Sequence, residues 1–240
     1  VLYFLMHEAE EIRFHPKKLA VHGNVLRTIL RIGIPAGVQG MVFSFSNVCI
    51  QAAVNTFGSA VVAGSAISMN FEYITCFAFM GFNSAAVTFT SQNYGAGKAE
   101  RCKRVFRICM LCGVFICLAL DVFFYLGRDL WIGLFTTDAA AAACAAQRMQ
   151  IVLLLQCLAC SYEISGSVLR GYGHSLTPAL LTVFGTCVFR VIWVNTVVPA
   201  HHVLPVLFSV YPISWIVTGT MVLTAYVVVS RTALRSLQKS

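Results

Sequence analysis

The sequence is short of charge, and above all of acid. Only 11% of its 240 residues are charged, and nine are Asp or Glu against seventeen Lys or Arg. A soluble domain carries about a quarter charged residues, so a chain this poor in them cannot clothe a water-facing surface. Several enzyme signatures are missing too. Tyr94-Gly95-Ala96-Gly97-Lys98 resembles the end of a phosphate-binding loop, but Gln92 and Ala99 stand where Gly and Ser or Thr are required. Gly171-Tyr172-Gly173 lacks the third glycine of a dinucleotide fingerprint, because position 176 is Leu. Neither GxSxG nor HExxH occurs. Without a nucleophile–base pair the chain is not expected to be an enzyme. ATP-driven work would need a partner chain. No signal peptide with a cleavage site opens the sequence. Val1–Met6 (VLYFLM) instead reads as the tail of an apolar helix, so the chain is expected to be part of a longer protein.

What is present in quantity is apolar: 58% of the residues are hydrophobic and mean hydropathy is +0.79. A bilayer-crossing helix needs about 20 such residues. Six stretches meet that length: Gly33–Val54, Ala66–Phe89, Val105–Gly127, Met149–Leu169, Leu180–Val198 and Val206–Ser230. The expected fold is all-α, a polytopic membrane protein with a six-helix bundle at residues 29–231. Before it, residues 1–28 hold the end of a preceding helix and a linker; after it, residues 232–240 form a basic tail. Thr137 or Asp138 should cap a helix running through the alanine-rich stretch into the fourth span. Thr177-Pro178 supplies a cap and first-turn proline for the fifth.

The net charge of +8 does not point to nucleic acid, since the basic residues form short clusters rather than a continuous face. They alternate between spans instead. Segments 8–31, 92–107, 170–175 and 231–240 carry fourteen of the seventeen, whereas segments 55–65, 127–148 and 199–205 carry only Arg128 and Arg148. By the positive-inside rule both chain ends belong in the cytoplasm, facing the anionic leaflet. The lipid bilayer is the expected partner. The ten cysteines lie mostly inside apolar stretches, and neither CxxC (Cys109/Cys112, Cys157/Cys160) has a second pair or a histidine at ligand spacing. They read as packing residues, with no metal site expected.

Charge inside a span is the strongest functional signal, because it costs about 2.5–3.5 kcal/mol at the bilayer centre. Three acids qualify: Glu72, Asp121 and Glu163. At about 100° per residue, Glu72 shares a face with Ser65, Ser68, Asn83 and Thr90. Glu163 shares one with Gln156, Ser167 and Arg170, and the first span carries Gly40, Ser44, Asn47, Gln51 and Asn55, with Pro35 near its entrance. Three such stripes can line a common midplane cavity of the kind in which secondary transporters bind substrate. The candidate substrate- or ion-binding set is Glu72, Glu163, Asn47, Gln51, Asn83 and Gln156. A carboxyl alternating between wet and dry surroundings could exchange a proton or offer oxygens to Na⁺. No other cofactor is expected. Asp121 is expected to reach the outer interface, and Arg190, inside the fifth span, has no partner that sequence can name. The bland alternative stands beside this one: Ser, Asn and Gln often only bridge helices, and Gly33, Gly37 and Gly40 could simply allow close approach.

Several segments carry a family resemblance. Leu30-Arg31-Ile32-Gly33-Ile34-Pro35-Ala36 is similar to the "LRLGLPA" opening of the seventh helix in the multidrug and toxic compound extrusion (MATE) transporters. Ser91-Gln92-Asn93-Tyr94-Gly95-Ala96-Gly97 with Arg101 resembles the family's "GQNxGAG…R". Leu169-Arg170-Gly171-Tyr172-Gly173 resembles "LRGxGD", with His174 in place of the Asp. Arg190-Val191-Ile192-Trp193 and Tyr211-Pro212-Ile213-Ser214-Trp215 resemble segments of bacterial members. Where one branch has an Asp in its tenth helix, this chain has Ala159.

The resemblance covers roughly residues 25–230 and implies the C-terminal lobe of a twelve-helix transporter whose N-terminal six-helix lobe is absent. It further implies export of small organic, often cationic, compounds across the bacterial plasma membrane in exchange for H⁺ or Na⁺. A lipid-linked oligosaccharide flippase of the same superfamily is the alternative. Pro35, Gly95, Gly97, Gly171 and Gly173 are then candidate hinges or close-contact turns.

Overall fold

A computed structural model describes Met6 and residues 20–237; no side-chain detail is given for Thr28, Ile32 or residues 234–237. The expected helix tail at residues 1–5, the linker at 7–19 and positions 238–240 of the basic tail lie outside the described residues. Among those described there is no strand, and six helices are long and apolar enough to cross a membrane.

The first is α1 (Gly23–Asn55), followed by α2 (Ser59–Gly95) and α3 (Ala99–Leu126). The short α4 (Arg128–Gly133) leads into a fourth span, Ala139–Gly171. That span is built from α5 (Ala139–Ile151), a 3₁₀ segment (Leu153–Leu158) and α6 (Ala159–Gly171). The fifth is likewise composite: α7 (Leu176–Thr182), a π-helical stretch (Val183–Val188) and α8 (Phe189–Ala200). The sixth is α9 (Leu204–Leu237). The six apolar stretches read from sequence fall on these six spans, only Gly127 at the end of the third lying one residue past its helix. The helices run longer because a helix keeps satisfying its own backbone beyond the hydrocarbon, where the residues become polar.

The chain packs as two units, Val1–Ile34 and Pro35–Ser240. In the first, the described helical residues are mostly exposed. In the second, α2 packs on α3, α5 and α6, and α9 packs on α6, α7 and α8. The outward faces are apolar: Leu111 and Phe115 on α3 are 71% and 72% exposed. Such a surface is a hazard in water and is what lipid solvates. Inside the spans, Ser165, Thr182, Thr220 and Thr224 each donate to the carbonyl four residues back, so their hydroxyls are satisfied within the helix.

Of the two helix starts expected from capping residues, one holds and the other shifts. Asp138 is the N-cap of α5, its carboxylate accepting from Ala140 N–H at 3.1 Å. The fifth span begins at Leu176 rather than after Thr177, which places Pro178 inside the first turn. First-turn N–H groups have no intrahelical partner, so proline is accepted there without losing a hydrogen bond.

Candidate functional site

Both composite spans change helix type part-way along. Gln156 lies in the 3₁₀ segment of the fourth span and donates to the backbone carbonyl of Glu72 at 2.8 Å. In the fifth, Thr186 of the π-helical stretch bonds Thr218 of α9 at 2.8 Å, and a Cβ on Gly185 would lie 2.6 Å from the Thr218 hydroxyl. α9 therefore approaches the fifth span closely just before Arg190.

Between these elements and residues 43–51 of α1 lies a cavity of about 280 Å³. All six sequence-nominated residues line it: Asn47 and Gln51 from α1, Glu72 and Asn83 from α2, Gln156 and Glu163 from the fourth span. The stripe on α2 thus faces protein. Ser65 and Ser68 engage Arg148 and Glu72, Asn83 donates to Glu163 Oε2 at 3.2 Å, and Thr90 is buried against Gly171. The first-span stripe is only partly inward, since Gly40 meets open space and Gln51 bonds Asn55 of its own helix. Gly37 likewise has no neighbour, so close helix approach does not explain it.

Two arginines complete the wall, each 1% exposed. Arg148 was read from sequence as a residue of the outer loop side; it is buried within the fourth span. Helix α5 starts at Ala139, so Arg148 sits about 14 Å along the axis. Its Nε and one Nη grip both oxygens of Glu72 at 2.7 and 2.8 Å, and the other Nη donates to Ser65 Oγ at 2.8 Å. This is a bidentate, charge-assisted pair with all three nitrogens used. Ser68 also donates to Glu72 Oε1, at 2.9 Å. Both oxygens of the carboxylate are engaged.

Arg190 finds no acid. Its Nε donates to Ser214 Oγ at 3.0 Å and one Nη to Asn47 Oδ1 at 3.4 Å, and among the described residues it makes no ion pair. Its guanidinium lies 4.7 Å from the Tyr211 ring centre and 5.6 Å from that of Phe43. The same Tyr211 ring holds Arg148 at 4.9 Å. Two of the sequence segments that carried the resemblance thus meet here. Ser214 bonds its own helix at Tyr211 O (2.7 Å) while accepting from Arg190, and Trp193 Nε1 donates to Val206 O at 3.0 Å.

Asp121 departs from expectation. Rather than reaching the interface it is fully buried, on the same face of α3 as Cys117, whose thiol donates to Asp121 Oδ2 at 3.4 Å. That face packs inward along its length: Gly113 sits against Ile164. It is not part of the cavity wall.

The chain is a bundle of membrane-length helices, two of them discontinuous, around a cavity lined by aromatic, amide and charged side chains. The MatE family profile matches residues 35–194. The chain belongs to the MatE family. Among curated relatives, a probable multidrug resistance protein NorM of Thermotoga maritima is 23% identical over 187 residues, covering 76% of this chain and 39% of that protein. The multidrug export protein MepA of Staphylococcus aureus (strain NCTC 8325 / PS 47) is 21% identical over 218 residues, 90% of this chain and 46% of MepA. A solved outward-facing multidrug resistance MATE family transporter superposes with a TM-score of 0.80 at 18% identity, over 95% of this chain and 51% of its own. This MatE chain therefore spans about half the length, or less, of the proteins it matches, and its fold is that of one six-helix lobe.

Within the MatE lobe the five candidate hinge residues separate physically. Gly97 and Gly173 adopt φ of +70° and +89°, which only glycine takes without strain. Gly171 is packed, since a Cβ there would lie 2.8 Å from Thr90 Cβ. Gly95 has open space, and Pro35 lies inside α1. Sequence reading missed Arg148 as a wall residue. The expected cap at Asp138 already puts Arg148 two to three turns into a helix, but counting it with the outer segment hid that it faces Glu72.

Proposed function

We propose that this chain is the C-terminal lobe, residues 29–231, of a twelve-helix secondary transporter that exports small organic, often cationic, compounds by antiport with H⁺ or Na⁺. Its setting is the bacterial plasma membrane, with both ends cytoplasmic. The observation that carries the reading is Glu163: a carboxylate facing the cavity, held by one hydrogen bond, from Asn83, and in no ion pair among the described residues, with the Arg170 charge of its own helix acting on it from farther off. A carboxylate with one hydrogen bond can take up a proton or Na⁺ and yield it again. Glu72 cannot do so without releasing Arg148, so its role is to fix that arginine. Gly97, in the turn between α2 and α3, and Gly173, in the turn between α6 and α7, let the spans reverse direction tightly, and Gly171 seats the fourth span on α2. The NorM and MepA relatives, named for multidrug resistance and export, support the substrate class.

The test uses full-length protein in proteoliposomes. A proton or sodium gradient should drive uptake of an organic cation against its gradient, and Glu163→Gln should reduce coupled flux to the level of empty vesicles while leaving thermal stability intact. Unchanged coupled flux in that variant removes Glu163 from the mechanism. The flippase alternative gains from finding two arginines at the cavity, but Arg148 has spent its donors on Glu72 and Ser65. One free guanidinium is a poor match for a pyrophosphate. Tighter binding of a polyprenyl pyrophosphate than of any small organic compound would reverse that preference.

A further inference from the structure

The loop between α8 and α9 meets the turn between α1 and α2 through His202. Its ring lies on Phe57, with centres 4.0 Å apart and planes 3° apart, and its Nε2 is 3.2 Å from Thr56 Oγ1. Both backbones are held in place. Thr56, Phe57 and Gly58 each donate an N–H to the carbonyl three residues back, and Gly58 has φ of +97°. On the other side His201 N–H donates to Val197 O at 3.0 Å and Val203 N–H to His201 O at 2.7 Å. The contact also has a place relative to the cavity. Gln51 of α1, Arg190 of the fifth span and Tyr211 of α9 line the cavity wall. Thr56 lies five residues past Gln51, about 7.5 Å further along the axis. The ends of three wall-forming helices therefore come together at His202.

The hydrogen bonding fixes which form of the ring fits. The Thr56 hydroxyl has one hydrogen, and it is given to Ala53 O at 2.8 Å. Toward His202 the hydroxyl can only accept, so Nε2 must carry a hydrogen. An imidazolium carries one on both nitrogens, whereas the neutral ring carries it on Nε2 in only one of two tautomers. A cation lying on the Phe57 ring gains a further attraction that a neutral ring does not. Nothing else nearby supplies charge: residues 32–71 and 191–230 contain no Asp, Glu, Lys or Arg. His201, the neighbour on the loop, is the one other side chain in those segments of a type that ordinarily changes charge between about pH 5 and 8. We infer that His202 is a latch that acid tightens. Its imidazolium holds the α1–α2 turn against the loop, and loss of the proton frees the turn and the end of α1 beside the cavity. The latch and the Gly97 turn stand at opposite ends of α2. On the orientation proposed above the latch is at the outer face, so acid outside would restrain opening of the cavity on that side. Only this last step rests on the exporter reading.

Amide hydrogen exchange read by mass spectrometry tests it on the full-length protein in nanodiscs, with no substrate and no gradient. Exchange is followed at about pH 5.5 and about pH 8, on either side of the ordinary histidine range, with times scaled to the intrinsic rate at each pH. Amides of the α1–α2 turn report its opening directly. They should be about two- to fivefold more protected at the acid pH, which is what an exposed cation–π contact supplies. His202→Phe keeps the stack but has neither donor nor charge, so its turn should show no difference between the two pH values. His201→Gln should keep the wild-type difference. Equal protection at both pH values in the wild type overturns the inference, as does a difference that survives in His202→Phe or vanishes in His201→Gln. Should His202→Phe not fold, Phe57→Leu decides by the same readout: it keeps an apolar contact without the ring face, and its pH difference should shrink. An acid-protected turn in a protein without gradient-driven flux counts against the exporter reading alone. Flux through a protein whose turn ignores pH counts against the latch alone.

Discussion

Two guanidinium groups share one tyrosine ring, and they stand in opposite conditions. Arg148 has all three nitrogens bound, two of them to Glu72, whose oxygens accept from Ser68 as well. Arg190 has no acid partner, and across the same cavity Glu163 has a single amide donor. Burial does not separate the pairs, since both arginines are 1% exposed. Residue type does not separate them either. What differs is whether hydrogen-bonding capacity is used up. A saturated buried pair is a structural fixture whose disturbance is felt as stability. A charged group with capacity to spare is one that a ligand or ion can address.

The largest effect that could break this distinction is at the saturated pair. Glu72→Gln leaves the Arg148 charge buried without its counter-ion, and the expected cost is about 3–5 kcal/mol. It would be read as a lowered midpoint in denaturant unfolding of detergent-solubilised protein. Adding Arg148→Met to Glu72→Gln should recover most of that loss, because replacing a whole buried ion pair by apolar groups is often close to neutral. Wild-type stability in the single variant would mean that saturation does not mark a structural role here.

Much of this arrangement was legible in the sequence, and the rest was hidden for definite reasons. Six apolar stretches of membrane length sit inside the six helices, because length and hydropathy report directly on the solvent a helix needs. The polar stripe through Glu72 and Asn83 was legible from the 3.6-residue period, which tells which residues share a face. That period does not say which helix a face meets. Pairing between Glu72 and Arg148 joins positions 76 apart, so their contact depends on how α5 packs against α2. Arg148 counts with the outer segment because the hydropathy of the alanine-rich stretch is modest, and the Asp138 cap, which makes that stretch helical, does not say which way Arg148 faces. Asp121 looked interfacial from its distance to the end of α3, but its position four residues after the buried Cys117 places it on the packed face.

A smaller effect sharpens the same comparison. Ser65→Ala removes the acceptor for one Arg148 nitrogen and leaves the Glu72 pair intact. An unsatisfied buried donor costs about 1–3 kcal/mol, so this variant should fall between wild type and Glu72→Gln in denaturant unfolding. Asn83→Ala, which removes the one donor to Glu163, should cost less than Ser65→Ala, because Glu163 is only partly buried and faces the cavity. The reverse order would place the structural fixture at Glu163 instead.

The distinction between used and unused capacity extends from charges to backbone, and the two glycine turns after α2 and α6 give its smallest and cleanest test. Gly171 and Gly95 both end long helices, and neither has a positive φ. A Cβ on Gly171 would meet Thr90 Cβ at 2.8 Å, Thr90 Cγ2 at 2.9 Å and the Val87 carbonyl at 3.1 Å, while one on Gly95 would meet nothing within 4 Å. Replacing a helical glycine by alanine gains up to about 1 kcal/mol of conformational entropy and propensity. At Gly95 nothing opposes that gain, so Gly95→Ala should be neutral or stabilising by a few tenths of a kcal/mol. At Gly171 the neighbour is backbone as well as a branched side chain, and overpacking costs about 1–3 kcal/mol. Gly171→Ala should therefore destabilise by about 1 kcal/mol or more. Opposite signs in a paired thermal-unfolding measurement would place Gly171 as the seat of the fourth span on α2, and equal signs would remove packing as the reason for glycine there.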